Sequence, residues 1–323
     1  MSTTVQAPAE AAVAKRSARS GGGRGLSDKT IRNLFIWPTL ILLIMINLFP
    51  LFYSLFLSFT NYSAIIKEPP TWIGFDNFAR VLNDQTMWKY FSLTGRYVVF
   101  SVGLELVLGF FLALLVREKF FGSGLVTTLI LVPMMLSPVV AGLFWKLMYN
   151  PTFGYLNYML GYTNPKMAPD WLASRYAGQA VPGLALWAII IVDIWMWTPF
   201  VMLLILSGLK AIPEYLYEAA AIDRASSWFQ FRRITLPQVA PLVLIALLFR
   251  TIEAFSKSFD LVMGLTGGGP GDQTEVIAVN LYRQAFQGQW QTGRASALAY
   301  MVLIIIIAVS NLYIRNLNKM KGA

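Results

Sequence analysis

In a chain of 323 residues, 56% apolar and only 13% charged, the side chains able to do chemistry stand out. Glu105, Asp193, Arg250 and Glu253 interrupt long apolar runs, and Lys257 and Asp260 come close behind. A second group lies in EAAAIDRASSWFQFRRITLP, residues 218–237, where Glu218, Asp223, Arg224, Arg232 and Arg233 crowd between two apolar stretches. A third is the Gly-rich LTGGGPGDQT, residues 265–274, with Gly267, Gly268, Gly269 and Pro270 at its centre. The absence of cysteine and histidine removes thiol nucleophiles, disulfides, soft metal ligands and the commonest acid/base residue. Glu105 and Asp193 resemble a hydrolase dyad only on paper, because they fall in separate apolar segments with no nucleophile beside them. Neither GGGRG near the amino terminus nor TGGGPGDQT carries the lysine and helix start of a phosphate-binding loop, and no GxxxxGK[ST] occurs. The chain therefore reads as no enzyme.

The elements that must position these groups are membrane helices. Apolar runs of at least about 18 residues, enough for roughly 30 Å of hydrocarbon, fall near 34–59, 94–116, 124–149, 182–208, 237–257 and 295–315. Six spans are expected, the first an uncleaved anchor over 33–60 with a kink near Pro50. Residues 1–32 are rich in Ala, Ser and Gly and carry six basic residues, the pattern of a disordered cytoplasmic tail. With the amino terminus inside, the inner segments 1–32, 117–123, 209–236 and 315–323 hold fifteen Lys and Arg, against seven in the outer segments 61–93, 150–181 and 258–294. Both termini are expected in the cytoplasm, with 316–323 as a short tail. The net charge of +10 then belongs to basic loops facing an anionic leaflet, and nucleic acid is not an expected partner.

Intramembrane charges are costly, and so they are informative. At about 1.5 Å per helical residue, Glu105 and Asp193 lie about 17 Å from the outer ends of their helices, near the midplane. Arg250, Glu253 and Lys257 recur at spacings of three and four and share one helix face. Two readings stand: an internal ion-pair ladder between helices, or a polar lining of a solute path with Trp195 and Trp197 beside Asp193 to stack on it. The Gly267–Pro270 turn is either structural or a contact for a delivery protein outside.

Residues 209–236 form the largest inner loop, and their pattern is helical. Pro213 suits a first turn, Glu214 and Glu218 sit near its positive end, and Ser226 and Ser227 can cap a second short helix in which Trp228, Phe231 and Ile234 recur every third residue. Pro237 permits entry into the next span. Such a pair of short helices either docks a cytosolic partner or packs on lipid headgroups.

YEAAAIDRASSWFQFRRITLPQVAP resembles the EAA loop of the membrane subunits of binding-protein-dependent ABC importers. LVPMMLSPVVAGLFWKLMYNPTFGYLN upstream and FDLVMGLTGGGPGDQTEVIAVNLYRQAF downstream resemble its carbohydrate-uptake branch, with MalF-like subunits. The likeness runs from about Leu34 to Arg315. It implies an all-α transmembrane fold, the six-helix bundle of type I importer permeases, with its core over 94–315. It also implies residence in the bacterial cytoplasmic membrane and import of a sugar or sugar derivative. The loop would be a coupling helix pair, with Glu218, Ala219, Ala220, Asp223, Arg224, Phe231 and Pro237 at the joint to an ATPase subunit. Implied partners are a second permease, two ATPase subunits that bind ATP and Mg, an extracytoplasmic solute-binding protein and membrane lipid; this chain would hold no cofactor. An autonomous ion-coupled transporter is the alternative. One departure concerns the break between the short helices: arginine stands at 224 where the family usually has glycine. Either the turn is made differently or the partner supplies an acidic group for Arg224.

Overall fold

The computed structural model describes residues 27–66, 68–118, 120–288 and 290–321; the expected disordered tail lies almost wholly outside them. The chain divides into two compact units, 1–54 and 55–323. The first contains, among its described residues, most of α1 (Asp28–Ser58), a helix that runs unbroken through Pro38 and Pro50. Its apolar side chains are exposed on every side, from Leu34 and Phe35 to Phe52 and Tyr53, which is the mark of a helix solvated by lipid rather than water.

Among the described residues, the second unit is mostly helical, with one two-residue hairpin and two isolated β-bridges, Thr60 with Trp72 and Asp170 with Arg175. The segment 61–93 is not merely a loop. It holds α2 (Asp76–Asn83) and the start of α3 (Gln85–Leu115), because Asp84 caps α3 by accepting from the Thr86 amide at 2.9 Å. Asn77 donates to the carbonyls of Ser58 and Thr60 at 2.9 and 2.8 Å, fixing the connection that precedes it.

The expected single span over 124–149 is interrupted. α4 (Ser123–Leu131) passes into a 3₁₀ turn at Pro133–Met135, and α5 begins afresh at Pro138–Met148. The cause is local: Pro133 cannot donate to the helical ladder, and Ser137, preceding Pro138, is pushed to extended backbone (φ −64°, ψ 139°). Among the described residues, five continuous helices are long and apolar enough to cross a membrane, with this broken segment in addition.

Beyond α6 (Tyr155–Met159) and a two-residue hairpin, β1 (Arg175–Tyr176) with β2 (Gln179–Ala180), comes α7 (Leu184–Ala211). Next come two short helices, α8 (Tyr215–Ile222) and α9 (Ser227–Gln230). A π-helical turn, Phe231–Thr235, then leads into α10 (Leu236–Leu265), longer at its carboxy-terminal end than the run 237–257. After α11 (Ile277–Phe286), α12 (Thr292–Lys321) stays helical through most of the expected carboxy-terminal tail.

The most extensive helix contact is α3 on α7, with α10 packed against α5, α7 and α3. Close approach needs small residues: a Cβ on Gly109 would lie 2.8 Å from Val201, and one on Gly142 would lie 3.3 Å from the Cα of Gly264. The buried apolar residues form two clusters, one with Tyr97, Val102, Ile189, Val192, Ala254 and Leu261, the other with Ala113, Val201, Met202, Ile205, Val239 and Ala246. On each of α3, α7 and α10 the clusters are separated by a short gap in sequence. Glu105, Asp193 and Arg250 occupy those gaps.

Candidate functional site: an intramembrane ion cluster and the loop 209–236

At the gap between the clusters Arg250 is the hub. Its Nε donates to Glu105 Oε2 at 2.6 Å and its Nη2 to Glu105 Oε1 at 2.8 Å, a bidentate pairing. The same Nη2 reaches Asp193 Oδ2 at 3.0 Å, and Nη1 reaches Glu253 Oε2 at 3.0 Å. Arg250, Glu105 and Asp193 side chains are 1%, 0% and 4% exposed. Four of the guanidinium's five N–H groups are thereby occupied. The Trp197 ring covers it, 4.8 Å from Cζ to the ring centroid. Three helices are clamped by one side chain, which is how buried charge becomes tolerable: each carboxylate meets a donor of opposite sign.

The cluster opens at one edge. Glu253 is 22% exposed, and its second oxygen faces Lys257 Nζ at 3.8 Å on a side chain that is 71% exposed. A small cavity of about 30 Å³ lies here, lined by Tyr97, Trp197, Glu253, Lys257, Ser258 and Asp260 among others. Ser258 Oγ is buried there with no hydrogen-bond partner among the described residues. Of the residues considered for a solute path, Glu105, Asp193 and Arg250 are thus consumed by one another and Trp197 covers Arg250; Asp193, Trp197, Arg250 and Glu253 line the cavity, and of the three carboxylates Glu253 is the one that is not buried. Trp195 points elsewhere, against Phe144 and Trp145 at ring-centroid distances of 6.5 and 5.5 Å. Tyr97 and Ser258 carry no signal of this kind in the sequence, since a lone hydroxyl in an apolar run costs little.

At the other end of α7 and α10, the loop 209–236 does fold as two short helices. Ser226 caps α9, accepting from the Phe229 amide at 3.3 Å. Arg224, at the break, holds φ 53°, so the turn is made in the left-handed region that glycine would favour, with an arginine in it. The loop is fastened to the bundle by its inner side. Tyr217 Oη meets Thr235 Oγ1 at 2.8 Å, Arg117 lies over the Tyr217 ring at 4.7 Å, and Phe231 packs edge-on to Phe110 of α3 at 5.9 Å. Ala220 is buried with them. Ala220 and Phe231 therefore anchor the loop instead of presenting themselves outward. Glu218, Ala219, Asp223, Arg224 and Pro237 are exposed, joined by Ile222 at 82% and Trp228 at 67% exposure. Ile222 was not among the expected joint residues, although an isoleucine between Ala221 and Asp223 at the end of a short helix is an apolar group with no core to enter.

On the opposite side the Gly-rich turn is braced. Arg283 donates to the Gly267 carbonyl at 2.5 Å and pairs with Glu275. Thr274 Oγ1 donates to the Gly269 carbonyl at 2.7 Å, and Lys89 of α3 meets Asp272 at 2.5 Å. Gly267 and Gly268 have φ of 62° and 93°, backbone that side-chain-bearing residues rarely adopt.

Residues 105–320, which include the ion cluster, the loop 209–236 and the Gly-rich turn, match the family model described as binding-protein-dependent transport system inner membrane component. The chain belongs to that family. The permease is 33% identical over 282 residues to the trehalose/maltose transport system permease protein MalF of Thermococcus litoralis, covering 87% of this chain and 92% of that one. It is 35% identical over 277 residues to the probable ABC transporter permease protein y4oQ of Sinorhizobium fredii, covering 85% and 86%. Its fold is shared with a chain of the bacterial alginate ABC transporter solved in complex with an alginate pentasaccharide-bound periplasmic protein, with a TM-score of 0.73, 23% identity and coverage of 89% and 95%. Family members are ABC permease subunits and not themselves enzymes. Membership displaces the alternative of an autonomous ion-coupled transporter.

Proposed function

We propose that this permease forms one half of the membrane pathway of a saccharide importer, paired with a second permease and driven by two ATPase subunits that bind ATP and Mg. A solute-binding protein delivers the cargo on the outer side, where the braced Gly267–Pro270 turn offers a fixed contact. The saccharide class is supported by the trehalose/maltose relative. Both termini and the loop 209–236 lie in the cytoplasm on this reading, the broken segment 123–148 completing an even number of crossings. ATP-driven closure of the ATPase pair alternates the access of the pathway, and the loop carries that motion to α7 and α10.

The observation that carries this reading is the two-sidedness of the inner loop. Tyr217, Ala220 and Phe231 hold it to the bundle, while Glu218, Ala219 and Ile222 face away from it with nothing among the described residues to cover them. The solute meets the pathway at the open edge of the ion cluster, at Glu253, Lys257 and Ser258, and the closed Arg250–Glu105–Asp193 core keeps the helices in place behind it. Reconstitution with the partner subunits tests the whole. Labelled maltodextrin or trehalose, presented with the binding protein, should enter proteoliposomes only with ATP. Uptake by the permease alone under a proton or sodium gradient would overturn it.

A further inference from the structure

Apart from the ion cluster, the described residues form a pocket of mixed character between α5 and α7. Its volume is about 310 Å³, at the low end of the roughly 300–1,000 Å³ of small-molecule sites. Phe153, Tyr155, Tyr158 and Tyr162 wall it, and the first three are exposed. Thr152, Asn157 and Thr163 add polar side chains to the lining, and no charged side chain lines it.

The frame is stiff. Asn150 accepts from the Thr152 and Phe153 amides through Oδ1 at 2.9 and 3.2 Å, and the Gly154 amide donates to the Asn150 carbonyl at 2.8 Å. A Cβ on Gly154 would lie 2.3 Å from that same oxygen, so the turn closes only around glycine. Asn157, 2% exposed, donates to the Pro169 carbonyl at 3.0 Å and accepts from Trp171 Nε1 at 2.8 Å, which pins α6 to the segment that follows it. By contrast, the hydroxyls of Thr152, Thr163, Tyr155 and Tyr158 have no hydrogen-bond partner among the described residues. The fold fixes the backbone of the pocket and leaves its rings and hydroxyls uncommitted.

An interfacial aromatic belt is the plain alternative, since Tyr side chains gather at headgroup level. Such a belt needs neither a concavity nor polar side chains between its rings, and a pocket for a phosphate headgroup would present a cation. Rings interleaved with hydroxyls and a carboxamide, without charge, match a neutral saccharide. Its C–H face carries a slight positive charge that suits the negative face of an aromatic ring, while its edge hydroxyls donate and accept. We infer that this pocket is a saccharide subsite, separate from the cavity at Glu253, in which a pyranose ring of the cargo stacks on the wall formed by Phe153, Tyr155 and Tyr158. The inference deepens the saccharide reading given under Proposed function and rests on it.

Pro165 also lines the pocket and brings no polar side chain, and the chain has no cysteine, so Pro165→Cys places a single thiol at the site. The full permease carrying it, in nanodiscs, is alkylated with iodoacetamide over a range of maltotriose, trehalose or N-acetylglucosamine concentrations, with glycerol as the control. Saccharide should slow the reaction saturably, and glycerol should not. Adding Tyr158→Ala should raise the half-protecting concentration about two- to tenfold, whereas Tyr158→Phe, which keeps the ring, should move it less. Because Tyr158 is exposed, the thermal midpoint should stay that of Pro165→Cys alone. Absence of protection by all three saccharides, or protection that Tyr158→Ala leaves unchanged, overturns the inference. Alkylation that is slow in nanodiscs, fast in detergent and indifferent to saccharide puts the rings in lipid and overturns it as well. ATP-driven saccharide uptake without protection overturns this inference alone, whereas protection without ATP-driven uptake keeps the pocket and overturns the importer reading.

Discussion

Arg250 grips Glu105 through two near-parallel hydrogen bonds of 2.6 and 2.8 Å, and both side chains are withdrawn from solvent. Removing one partner strands the other as an unpaired charge among apolar helices. Arg250→Met should therefore cost about 3–5 kcal/mol of stability. Arg250→Lys should rescue little, because a compact ammonium cannot reach three carboxylates in fork geometry. Thermal unfolding of the purified permease measures both. A variant with wild-type stability would mean that the cluster does not clamp the helices.

Glu253 divides its oxygens between the buried hub and the exposed Lys257. Glu253→Asp shortens its reach while keeping its charge. Uptake by the reconstituted importer should fall more than the thermal midpoint does, if Glu253 faces solute at the cavity edge. Parallel losses in the two measurements would make it a rung of an ion ladder and nothing more.

Asp84 lies just outside the α3 span and meets Arg294 Nη2 at 2.6 Å. Partial burial pushes its carboxyl up, but the hydrogen bond and charge of Arg294 and the Thr86 amide outweigh that and hold it below the usual value. A folded-state value below the unfolded one stabilises fully above the usual aspartate range, and the contribution disappears as pH falls through the folded value. Thermal midpoints of the wild type and Asp84→Asn should thus differ at neutral pH and converge in acid. A gap that widens in acid would reverse the assignment.

The absence of cysteine makes topology directly measurable. Ile222→Cys replaces a residue that is 82% exposed. It should react with a membrane-impermeant maleimide only after the inner side is opened. Labelling from outside intact cells would invert the proposed orientation.

The residues of the ion cluster could be picked out in the sequence because a charge inside an apolar run is rarely tolerated without a purpose. Their partners could not, since which face of α3 meets which face of α10 depends on the relative rotation of helices far apart in the chain. The two short inner helices were legible from Pro213, Ser226 and the three-residue spacing of aromatics. Their orientation was not: helices of one or two turns with apolar residues on several faces leave the inward face to be chosen by tertiary contacts such as Phe231 on Phe110. The break at 132–137 was written in Pro133 and Pro138, but apolar length alone runs smoothly across it. Arg224 was conspicuous by its type, and only the backbone decided between the two ways of making the turn.

The π turn at Phe231–Thr235 closes with the Leu236 amide on the Phe231 carbonyl, five residues back instead of four. Each residue of an α-helix advances the chain by about 100° around its axis. One surplus residue absorbed in a wider loop leaves the angular phase of α10 unchanged. Without that loop, α9 and α10 would be one straight rod, and its charged stripe at Arg250, Glu253 and Lys257 would stand about 100° away from where Phe231 anchors the rod to α3. The five-residue turn works as a phase corrector: it lets one continuous helix keep its aromatic foot on Phe110 of α3 and its guanidinium on Glu105 and Asp193 more than a dozen residues further on.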